Sequence, residues 1–90
     1  MSHLKTNPEL VARVRRIAGQ LASVERALAE GPDCASVLQQ VAAVRGAVNG
    51  LMDEILEAHL REHVAAPELD AAARAQGAAD VLAAIRRYAR

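Results

Sequence analysis

Leu10, Val14, Ile17, Leu21, Val24 and Leu28 alternate spacings of four and three residues, which is the seam of an antiparallel helix pair. Asn7, Pro8 and Glu9 stand just ahead of this run. Asn caps a helix, Pro fits the first helical position, and an acid suits the positive end of the dipole. Gly31 and Pro32 stop the pattern, so a first helix is predicted over 8–30. Residues 1–7 show no periodicity and are expected to form a flexible tail that carries His3.

Asp33 is the expected cap of a second, longer helix over 33–64, ended by Ala65, Ala66 and Pro67. One stripe of this helix holds Cys34, Leu38, Val41, Val48, Met52, Leu56, His59 and His63. At 100° per residue, His59 and His63 point about 20° to either side of Cys34. Ala42, Ala43, Gly46, Ala47 and Gly50 cluster near the midpoint, where small side chains allow close approach of another helix. Beyond the break, Leu69 to Gln76 is either helical or irregular and Gly77 interrupts. Val81, Leu82, Ile85, Tyr88 and Ala89 predict a short final helix over 78–89. The expectation is a single all-α domain over 1–90: two long antiparallel helices and a short C-terminal helix, without internal repeats.

Composition changes this picture in one respect. The chain has 90 residues, 52% of them hydrophobic, but one Tyr and no Phe or Trp. A lone three-helix chain of mostly Ala, Val and Leu buries a thin core, so oligomerisation is expected to supply the missing burial. Eleven basic and eleven acidic side chains cancel, which argues against nucleic-acid binding driven by net charge alone. A single Cys excludes an intrachain disulfide. With no secretory signal and no long apolar run, a cytoplasmic protein with a reduced thiol and no membrane contact is expected. No Ser/His/Asp set, phosphate-binding Gly loop or catalytic carboxylate pair is evident, so no enzyme is expected.

His59 and His63 are one helical turn apart, a spacing at which both imidazoles reach one metal. A helical His pair also arises by chance, and a lone Cys is often a small buried hydrophobe. The stripe shared with Cys34 favours the metal. Cys34 and His59 are separated by about 37 Å along the axis, so one chain cannot close a site with both. An antiparallel second copy brings Cys34 of one chain beside His59 and His63 of the other and gives two sites per dimer. Asp53, Glu54, Glu57 and Glu62 make this helix end acidic, which favours a divalent cation. For Asp53 and Glu54 a solvated face is the simpler reading, as is a Glu57–Arg61 pair; Glu62 is placed to orient an imidazole by hydrogen bonding. One thiolate and two imidazoles suit Zn(II), Co(II), Ni(II) or Cu(II) better than Mg(II) or Ca(II). If Met1 is removed, the Ser2 amine and His3 add nitrogen ligands, beyond the number zinc usually takes.

On helix 1, Arg13, Arg16 and Gln20 line one flank, with Lys5 upstream and Arg15 on the opposite side. In one chain such a cluster is usually a solvated face; repeated by symmetry in a tetramer it forms a positive surface able to track phosphates. No helix-turn-helix recognition helix or zinc finger accompanies it.

RVRRIAGQ in helix 1, CASVLQQVAAVRGAVNGLM in helix 2 and HLREH at its end occur in order, over about residues 10–64. In these the chain resembles the CsoR/RcnR family of small helical repressors that sense metals or formaldehyde. The resemblance implies a dihedral homotetramer, a dimer of dimers, whose ligand-free form binds operator DNA. Within that family His3, Cys34, His59 and His63 match the nickel/cobalt-sensing RcnR branch, in which the amino terminus also coordinates metal. The implied function is a repressor released by Ni(II) or Co(II), with Zn(II) binding in vitro, that derepresses metal-efflux genes. Two alternatives stay open: a formaldehyde-responsive repressor of the FrmR type using Cys34 and the amino terminus, and a metal-buffering helical protein without DNA affinity.

Overall fold

The computed structural model describes residues 7–31 and 33–88. His3 and Lys5, the stop at Pro32 and the apolar Ala89 lie outside the described residues. The described chain is all-α, with α1 (Pro8–Ala29), α2 (Cys34–His63) and α3 (Ala71–Tyr88). None of these helices is long and apolar enough to cross a membrane.

The chain divides into two compact units, Asn7–Asp53 and a second from Glu54 onward, so that α2 contributes to both. In the first unit Asn7 caps α1: its side-chain oxygen accepts from the amides of Glu9 at 3.0 Å and Leu10 at 3.2 Å. α1 ends as the Glu30 amide returns to the carbonyls of Arg26 and Ala27. Gly31 then takes φ +84°, the left-handed conformation that glycine enters without strain. α2 opens with the Asp33 carbonyl accepting from the Val37 amide.

α1 and α2 run antiparallel. Arg13 lies against Gly50, while ten residues further along α1 Ser23 donates a hydrogen bond to Gln40. Only alternate members of the seam are buried: Leu10, Ile17 and Val24 are at most 9% exposed, whereas Val14, Leu21 and Leu28 are at least 50% exposed. The expected seam is therefore two rows seven residues apart in repeat, one packed within the chain and one left open. On α2 the half-buried positions Val37, Gln40, Val44, Ala47 and Leu51 share the flank toward α1. That flank is roughly 100° round the axis from Cys34. Leu38, Val41 and Val48, on the Cys34 stripe, remain exposed, and α2 has no fully buried residue.

In the second unit one expectation is corrected. Helix 3 begins at Ala71, not at residue 78, and runs through Gly77 without interruption. Asp70 starts it, its carboxylate accepting from the Ala73 amide at 2.7 Å and its carbonyl from Arg74 at 3.0 Å. Gly77 is buried because α3 crosses the end of α2 there: a Cβ would overlap the His63 carbonyl and lie 2.9 Å from the His63 Cβ. The glycine that reads as a breaker is a point of close backbone approach. Val81, one turn on, is the other buried residue of α3.

Candidate metal centre and nucleic-acid interface

The last turns of α2 set His59 and His63 side by side, ring centroids 4.7 Å apart and planes inclined at 42°. This follows from their i, i+4 spacing, which stacks side chains on one helical face. His59 Nε2 lies 3.0 Å from the carbonyl oxygen of Gly77. A carbonyl only accepts, so Nε2 is the donor in this contact, which leaves Nδ1 as the nitrogen available to a metal. His63 is 43% exposed at its side chain, and the Glu62 carboxylate, 13% exposed, stands 3.8 Å from its Nε2. That spacing is an electrostatic contact longer than a hydrogen bond.

The surrounding acids divide, and Glu54 departs from the solvated face expected for it. Glu57 pairs with Arg61 one turn away on the exposed face, Asp53 is exposed, and Glu54 is half-buried. Cys34, the free thiol, is exposed in the first turn of α2, at the end of the helix opposite the histidines. Among the described residues no group of three His, Cys, Asp or Glu side chains is gathered for a metal within one chain. Two adjacent imidazoles fit a borderline transition metal but leave its coordination incomplete.

The basic flank of α1 is less uniform than its spacing suggests. Arg15, Arg16 and Gln20 are exposed, but Arg13 is half-buried. A Cβ added at Gly50 would lie 2.9 Å from Arg13 Nη1, so glycine there makes room for the guanidinium.

Two participants escaped the sequence reading. The Gly77 carbonyl reaches His59 from another helix, and Arg74 on α3 donates to the carbonyls of Val64, Ala66 and Leu69. The legible signal for the first was a glycine within an Ala-rich run preceded by Asp70 as a capping residue; nothing local marks Arg74.

A family model described as a metal-sensitive transcriptional repressor matches residues 6–87. The chain belongs to that family. The chain shares 49% identity over 65 residues with the transcriptional repressor RcnR of Escherichia coli K12, 71% of this chain and 72% of that one. An uncharacterized protein in the bioA 5' region of Serratia marcescens is 51% identical over 89 residues, covering 98% of each chain. Among solved structures, a variant of the formaldehyde-responsive regulator FrmR from Salmonella enterica serovar Typhimurium superposes with a TM-score of 0.83 at 46% identity. It covers 90% of this chain and 91% of that one. Membership in a repressor family carries operator DNA as the partner and sensing rather than catalysis as the role. A metal buffer without DNA affinity does not fit it.

Proposed function

We propose that this protein is a DNA-binding repressor released from its operator by Ni(II) or Co(II), and that its metal site forms between two copies of the chain. The observation that carries this reading is the paired imidazoles of His59 and His63, 4.7 Å apart, with no third donor gathered beside them among the described residues. Cys34 is exposed on the same stripe of α2. In an antiparallel dimer the exposed Leu38, Val41 and Val48 of that stripe are covered and Cys34 reaches the partner's histidines. Similarity to RcnR supports a metal effector of this kind. With Met1 removed, the Ser2 amine and His3 would complete the site from the amino terminus, which favours nickel or cobalt over zinc, an ion that usually takes four ligands. Glu62, 3.8 Å from His63 Nε2, acts on that ring through its charge rather than through the hydrogen bond its position suggests. A tetramer built from two such dimers repeats Arg15, Arg16 and Gln20, with Arg13 and Lys5, into a surface for operator phosphates. By analogy with the family the genes controlled are those of metal efflux.

A second reading takes formaldehyde as effector, with Cys34 and the amino terminus as reacting groups. The exposed free thiol and the likeness to FrmR favour it. Titrating the protein–operator complex with Ni(II), Co(II), Zn(II), Cu(I) and formaldehyde separates the two. Dissociation by nickel or cobalt at the lowest concentrations is expected; dissociation by formaldehyde alone replaces the first reading with the second.

A further inference from the structure

The last carbonyls of a helix have no partner within it and must find one elsewhere. At the end of α2 the amides of Val64 and Ala65 both return to the Leu60 carbonyl, at 3.1 and 2.8 Å, and the chain turns away. The carbonyls that follow are gathered by a single side chain from the first turn of α3. Arg74 Nη1 donates to Val64 and, at 3.2 Å, to Ala66, while Nη2 donates to Leu69 at 3.0 Å. A planar guanidinium presents several donors in a fixed fork, so it fixes directions as well as distances. One turn further along α3 lies Gly77, packed on the His63 backbone and accepting from His59 Nε2. The His59 imidazole and the His63 backbone are thus referenced to α3, and α3 is tied to the end of α2 through Arg74.

We propose that Arg74 is a positioning residue for the His59/His63 pair: by clamping the α2–α3 connection it sets the Gly77 carbonyl against His59 and holds the pair ready for metal. This rests on the reading of the two histidines as ligands. The Asp70 cap and buried Val81 keep α3 helical without Arg74, so its loss loosens the register of Gly77 rather than unfolding the helix. Groups that orient metal-binding imidazoles typically change affinity by about 10- to 100-fold when removed.

The test compares the full-length parent with Arg74→Ala and Arg74→Lys. Nitrogen-15 NMR of the metal-free protein reports the His59 tautomer, Co(II) titration by absorption reports affinity, and metal-free operator binding and circular dichroism report the fold. The parent is expected to show a single Nε2–H tautomer at His59. Arg74→Ala is expected to show mixed tautomers and about tenfold or weaker Co(II) binding, with helicity and metal-free operator binding kept. Lysine, a point donor without the fork, falls between. Arg74→Ala with the parent's tautomer and Co(II) affinity overturns the proposal. So does loss of helicity and operator binding by both variants in step with metal affinity. A parent that takes up no Co(II) defeats the reading of the pair as ligands instead, while the tautomer comparison still decides the role of Arg74.

Discussion

Within Asn7–Asp53, α1 and α2 are held by a row of apolar side chains, Leu10, Ile17 and Val24, while a second row, Val14, Leu21 and Leu28, faces solvent. From Glu54 onward little apolar surface is buried beyond Val81, and the chain is tied instead by the Arg74 clamp, the Asp70 cap and the Gly77 carbonyl on His59. Apolar rows are non-directional and accept further apolar surface, which suits the proposed association of this region with other copies. Hydrogen bonds to fixed carbonyls specify angles, which suits the proposed role of this region in presenting two imidazoles to one ion.

If the first region depends on its buried row, Ile17→Ala should lower stability by about 2–4 kcal/mol, read as a lower denaturant midpoint. Leu21→Ala, on the open row, should cost clearly less at protein concentrations where the chain is dissociated; equal losses would erase the distinction between the rows. In the second region Gly77→Ala should cost about 1–3 kcal/mol, because the new methyl group has no space against the His63 backbone. The same substitution should weaken Co(II) binding, whereas a purely apolar junction would lose stability alone. The smallest effect concerns DNA. Arg16→Ala should weaken operator and unrelated DNA alike and flatten the salt dependence by about 0.9 for each phosphate the protein no longer neutralises. Arg13→Ala should change that slope less, because its guanidinium lies against Gly50. Salt slopes identical to the parent's for both would assign the flank to solvent.

What the sequence made legible differs between the same two regions. Asn7 as a cap, the three/four spacing of α1 and the one-turn separation of the histidines are local signals, and the structure places each as its spacing requires. Which half of the α1 seam is packed within the chain was not legible, because periodicity marks every apolar position without saying which partner covers it. The start of α3 was missed because Ala71 to Gly77 carries almost no apolar contrast and a glycine breaks helices more often than it joins them. The capping role of Asp70 was the available clue. The hydrogen bonds of Arg74 and of the Gly77 carbonyl join residues from different segments of the chain, and no local pattern announces them.

In the proposed shared site, Cys34 of one chain and His59 and His63 of another hold one ion. Two variants, Cys34→Ala and the double variant His59→Ala/His63→Ala, each lack half of every site and should bind Co(II) poorly alone. Unfolded together and refolded, they form mixed dimers in which one site is destroyed twice over and the other is intact. The absorption of the mixture under Co(II) titration measures this directly. The predicted result is recovery of the parent's thiolate-to-cobalt band with one ion per mixed dimer. A mixture with no band beyond the two variants measured separately, although mixed dimers are present by mass spectrometry, contradicts the shared site.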